Sequence, residues 1–303
     1  MTMIADDELA GLPRLPLSWK LVGRGASDIP VEAEWPPLRP TPAWAWGDSD
    51  GSGVRVCVVD SGIERGHPLV GPVDGAVAVV TEGGRSRVVP DDQGDACGHG
   101  TACASVIRRL APNCSLWSVR VLGAGLLGKG ESLIAGLRWA IAEGFDLVNL
   151  SLSTTKRQLV PLLHDLADRA YFTRTLLVAS AHNMPVESFP WRFSSVISVG
   201  SHAEPDPFLF CYNPTPPVEF FARGVNVPVA WLGGRELHCS GNSFATPHIT
   251  GICALMLAKH PGLTCFQTKC LLYLTAANVR AARQPPEPAP PQEQAELRAE
   301  RGE

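Results

Sequence analysis

Apolar and polar positions along the chain alternate between two periods. Val54–Val59 is a short, β-branched run, the pattern of a strand buried on both faces, and Ser115–Leu122 reads as a second strand. Phe145–Leu152, Thr175–Ala181 and Ser195–Val199 read the same way, as does a pair near Val218–Ala222 and Val227–Trp231. Between them, Gly100–Leu110, Glu131–Glu143 and a segment near Gln158–Thr173 carry helical spacing. Phe244–Ala258 and Thr264–Asn278 predict two further helices. Strands alternating with helices imply an α/β fold: a three-layer, doubly wound, mostly parallel sheet with helices on both faces. In such a sheet the functional site gathers at the carboxyl ends of the strands.

This pattern occupies residues 49–280. Residues 1–48 are rich in Pro and Trp without clean periodicity and read as an irregular arm. Residues 281–303, containing QPPEPAPPQEQAELRAERGE, read as a disordered Pro-rich, charged tail. The 303 residues are 45% hydrophobic and 18% charged, with a net charge of −4. That balance is ordinary for a globular protein and gives no sign of nucleic-acid or membrane binding. No apolar run is long enough to span a bilayer, and the first residues lack a basic start and an apolar stretch. Nine cysteines are scattered without metal-ligand spacing. They fit small buried hydrophobes kept reduced, so a cytoplasmic location is expected.

Three segments carry candidate chemistry. The first strand ends in Asp60-Ser61-Gly62, where a carboxylate can orient a partner or simply cap a turn. Gly98-His99-Gly100-Thr101 precedes a helix. The flanking glycines let the backbone approach closely, and the helix start is expected to lower the His99 pKa; a loop histidine on the surface is the plain alternative. Gly241-Asn242-Ser243-Phe244-Ala245-Thr246-Pro247 sets a serine at a helix entrance, with Pro247 in the first turn. It fits a nucleophile facing helix N–H groups, or an ordinary N-cap.

In the order Asp, His, Ser, these three segments together resemble the motifs of the subtilisin-like serine peptidases (subtilases). The resemblance covers about residues 45–280. It implies a serine endopeptidase with Asp60, His99 and Ser243 as catalytic triad and Asn183 as oxyanion-hole donor. It also implies that Ser151, Leu152, Ser153 and Ala181 line one side of the substrate cleft, opposite an edge at Leu127 and Gly128. No cofactor is required for catalysis and no metal ligand set is assigned. Calcium is common in the family, so the acidic cluster Asp91, Asp92 and Asp95 is either a structural calcium site or a solvated loop. The partner is a peptide or protein substrate.

The chain departs from the family pattern at Ser105, Ser153, His182 and Asn242, all expected near the cleft. Glu187 is expected either to face the primary pocket and favour a basic side chain or to lie in solvent. Cys103, four residues after His99, resembles the thiol-containing branch of the family, typified by proteinase K and thermitase, and implies sensitivity to mercurials. A narrow processing role inside the cell is one expectation. A peptide macrocyclase or transpeptidase and a catalytically silent peptide-binding module are the alternatives.

Overall fold

The computed structural model describes residues 40–279. The first 39 residues and the tail after 279 lie outside the described residues. The chain runs through α1 (Pro42–Trp46), β1 (Arg55–Asp60), β2 (Gly75–Glu82), β3 (Arg85–Pro90), α2 (His99–Leu110) and β4 (Ser115–Arg120). It continues through α3 (Gly130–Ala142), β5 (Leu147–Leu150), α4 (Val160–Phe172), β6 (Leu176–Ser180), β7 (Ile197–His202), β8 (Phe210–Tyr212) and β9 (Phe220–Arg223). Last come β10 (Val227–Trp231), β11 (Arg235–Cys239), α5 (Asn242–Lys259) and α6 (Cys265–Thr275).

Nine strands form one sheet in the order β3-β2-β4-β1-β5-β6-β7-β9-β8. The pairs from β2 to β9 are parallel, and only the edge strands β3 and β8 run antiparallel to their neighbours. Strand β1 shows how both faces are covered. Val56 and Val58 pack on the side of α2, α5 and α6, while Cys57 and Val59 pack among residues of α3 and α4. Helix α5 is apolar on all sides because it lies inside the first of these layers, with Phe244–Met256 buried throughout. Among the described residues, no helix is long and apolar enough to cross a membrane.

Both strands of one hairpin and the second strand of another lie outside the predicted alternation: β2, β3 and β11 are not expected from the sequence, whereas Val227–Trp231 is predicted and found as β10. In β2–β3, Glu82 pairs with Arg85 across Gly83 and Gly84, whose φ values of 56° and 78° suit the two-residue turn that a twisted hairpin requires. In β10–β11, Trp231 pairs with Arg235 across a loop containing Gly233 and Gly234. Residues 42–46, assigned by sequence to the irregular arm, instead form α1. Its Ala45 and Trp46 are buried, Lys259 Nζ donates to the Ala43 and Gly47 carbonyls, and the Trp44 and His260 rings stack. Among the described residues, α1 is therefore part of the packed structure.

Candidate active site

The fold brings four predicted residues to one end of the sheet. Asp60 is the last residue of β1 and fully buried, and the backbone N–H groups of Val121 and Leu122 donate to its carbonyl. His99 opens α2 on the left-handed N-cap Gly98 (φ 96°). The helix start reaches β1 because position 100 is glycine: a Cβ there would lie 2.0 Å from the Gly62 carbonyl oxygen. At this approach His99 Nδ1 donates to both carboxylate oxygens of Asp60, at 2.8 and 3.0 Å. The Ser61 N–H donates to Asp60 Oδ1 at 2.7 Å. Burial acts to lower the His99 pKa, but the charge and hydrogen bond of Asp60, with Asp95 beyond, outweigh it. The imidazole is therefore held above its usual value, not below it as the helix-start argument predicts. The carboxylate in direct contact is stronger than the partial charge of the helix end.

Asp95 organises this corner. Its carboxylate accepts from the N–H groups of Cys97, Gly98 and Thr101 and from the hydroxyls of Ser61 and Thr101, at 2.6–3.0 Å. Asp91 accepts two hydrogen bonds from the Arg120 guanidinium, both at 2.9 Å, and one from the Gln93 N–H. Burial would raise its pKa, but these partners hold the carboxyl below its usual range. With Asp91 and Asp95 already saturated by protein donors, the cluster with Asp92 does not fit a calcium ion. The acidic run serves the loop itself.

Ser243 is the second residue of α5, after Gly241 at φ 150°. Its hydroxyl donates to the Ser151 carbonyl at 3.3 Å rather than to His99. Pro247 stands at the sixth helical position, not in the first turn. Its nitrogen has no hydrogen, so the Ser243 carbonyl four residues earlier loses its helical partner. Two side chains from elsewhere replace it: the Ser151 hydroxyl at 2.8 Å and the Cys103 thiol at 3.5 Å. Burial pushes the Cys103 thiol well above its usual pKa.

Asn183 lies just past β6. Its Oδ1 accepts from the Asn242 N–H at 2.9 Å, and its Nδ2 makes no hydrogen bond among the described residues. Asn242 Nδ2 reaches back to the carbonyls of Ala181 and His182, at 3.1 and 3.3 Å. The residue before the serine thus ties α5 to the β6 loop.

His99, Asn183 and Ser243 border one open cavity of about 310 Å3. Leu127, Gly128, Ser151, Leu152, Ser153 and Ala181 all line it. Lys129 and Ser180, neighbours of the expected edge and of Ala181, line it too, as do Thr154 and Lys156, which sequence reasoning missed. Thr154 directly follows the Ser151–Ser153 segment, and Lys156 lies two residues further on. Ser105 does not belong to the cleft: its hydroxyl donates to the Ala102 carbonyl and accepts from the Ala230 N–H, tying α2 to β10. Glu187 does not line this cavity either. It pairs with Arg157 and Arg192 beside an adjacent depression.

The model of the Subtilase family matches residues 51–295. Subtilisin DY of Bacillus licheniformis is 30% identical over 249 residues, 76% of this chain and 85% of that protein. The minor extracellular protease Epr of Bacillus subtilis strain 168 is 31% identical over 260 residues, 82% of this chain but 38% of that longer protein. A crystal structure of a cold adapted subtilisin-like serine proteinase superposes with a TM-score of 0.62 at 28% identity, covering 74% of this chain and 82% of that one. Sequence, fold and the geometry at the sheet's end agree: the chain belongs to the subtilase family of serine endopeptidases, which act on peptides or proteins.

Proposed function

We propose that the chain hydrolyses peptide bonds through an acyl-enzyme on Ser243, with His99 as general base and Asp60 as its orienting partner. The reading rests chiefly on the buried Asp60–His99 pair, which shares a cavity with Ser243 and Asn183. Asp60 fixes the tautomer with the proton on Nδ1, leaving Nε2 to accept. Rotation of the Ser243 hydroxyl from the Ser151 carbonyl toward Nε2 allows proton transfer as Oγ attacks the scissile carbonyl. The Ser243 N–H and Asn183 Nδ2 donate to the oxyanion. The imidazolium then protonates the leaving amine, and water, deprotonated by His99, releases the acid. Ser151–Ser153 and Leu127–Gly128 hold the substrate as an extended strand between two edges. Leu127 is 78% exposed there, an apolar contact awaiting a partner.

All nine cysteines are unpaired, with Cys57, Cys103 and Cys253 fully buried. This supports work in a reducing compartment such as the cytoplasm.

A fluorophosphonate probe tests the mechanism. The expected result is a single label on Ser243, absent in Ser243→Ala. An unlabelled wild-type protein that is folded would refute it and favour a silent binding module.

A further inference from the structure

Among the described residues, two lysines line the catalytic cavity and no carboxylate does. The titratable side chains in its lining are His99, Lys129, Lys156 and His182. Lys129 follows the Leu126–Gly128 edge, and Lys156 follows Ser151–Thr154 on the opposite one, so each of the two edges ends in an ammonium group. Both lysines are exposed. Neither is in an ion pair among the described residues. The neighbouring cations differ: Glu187 holds Arg157 and Arg192, and Asp91 holds Arg120. Among the described residues, these arginines near the cleft are neutralised and the two lysines within it are not. A concave site lined by one sign of charge concentrates ligands of the other.

We infer that the cleft selects peptide segments carrying acidic side chains between these two edges, a selectivity that rests on the cavity being the substrate channel. In an extended peptide successive side chains point to opposite sides. A carboxylate at one position meets a lysine, while its neighbours face the apolar groups of Leu126 and Leu127. This is the opposite of the basic preference expected from Glu187, because that carboxylate is spent on arginines outside the cavity. An exposed ion pair is worth roughly 0.2–1 kcal/mol, or about 1.4- to 5-fold in affinity. A glutamate within reach of one lysine, with the second adding to the local field, is therefore expected to bind about fivefold tighter than glutamine.

The test uses the full chain carrying Ser243→Ala, so that peptide is bound but not cut. Fluorescein-labelled octapeptides of one neutral framework carry Glu, Gln or Lys at each position in turn, and their dissociation constants are read by anisotropy. The expected result is a Glu advantage of about fivefold over Gln at one or more positions, with Lys weakest there. That advantage should shrink as salt rises to about 0.15 M and vanish in Lys129→Gln/Lys156→Gln. Equal binding of Glu and Gln at every position overturns the inference, and so does an advantage that survives loss of both lysines. If no peptide of any charge binds and wild-type Ser243 is inert to the phosphonate, the reading of the cavity itself fails. That outcome is distinct from equal binding.

Discussion

Acid should loosen the helix that carries the nucleophile, and His248 sets the scale. This histidine lies in α5, five residues after Ser243, and is buried, with Nδ1 donating to the Phe244 carbonyl at 2.8 Å. Burial lowers its pKa from 6.5 to about 4. The unfolded chain binds a proton near 6.5 while the folded chain resists until about 4. Stability is therefore fully present above the unfolded value and is lost as pH falls through this window. The fall from 6.5 to about 4, at about 1.36 kcal/mol per pH unit, corresponds to about 2 kcal/mol lost by pH 5 and about 3 kcal/mol by pH 4. Urea midpoints measured in a Ser243→Ala background, which prevents self-digestion, read this directly. His248→Asn carries no titrating ring, so it should be less stable near neutrality, with the gap closing by about 2 kcal/mol at about pH 5. A gap that stays constant from neutral to acid pH would refute the argument. His99 titrates alike in both proteins and cancels.

Other predictions concern the cleft. Because His99 must be neutral to act as base and its pKa is raised, the acid limb of kcat/KM should lie above about 6.5. Asp60→Asn should move that limb to lower pH while kcat falls by about four orders of magnitude; an unmoved limb would mean that Asp60 does not set the imidazole's pKa. Asn183→Asp keeps an acceptor for the Asn242 N–H but removes the donor, so kcat should fall about a hundredfold or more with KM little changed. A drop confined to KM would remove Asn183 from the oxyanion hole. A mercurial should inactivate the wild-type protein and spare Cys103→Ala, and full activity with Cys103 shown to be modified would end that reading. Its burial and raised pKa predict slow reaction.

Most of this architecture is legible in the sequence because buried parallel strands and amphipathic helices leave strong periodic signals. Val54–Val59 announces its strand through a nearly continuous run of β-branched residues, and Ser115–Leu122 through its apolar positions. β2, β3 and β11 do not, since they are largely half-buried or exposed and β3 and β11 carry charge, as in Arg85-Ser86-Arg87 and Arg235-Glu236. The Gly83-Gly84 and Gly233-Gly234 pairs were the available signal. The candidate site was readable as motifs but not as partnerships. Asp95 looks like an ion ligand until Ser61 and Thr101 are seen folded onto it. Glu187 looks free until two arginines from separate segments meet it. Such pairings depend on distances across the sheet, which no local window contains.

The proline four residues after Ser243 has a mechanical consequence. A regular helix anchors each carbonyl along its own axis, so its first turn moves with the helix. At Ser243 that internal anchor is missing, and both the carbonyl and the hydroxyl are tied sideways to Ser151, on the wall against which a substrate would lie. A peptide that pairs with this wall pushes on the residue that holds the nucleophile's two oxygens. On the proposed reading, occupation of the cleft is coupled to release of the Ser243 hydroxyl, and a poorly fitting chain leaves that hydroxyl bonded to Ser151.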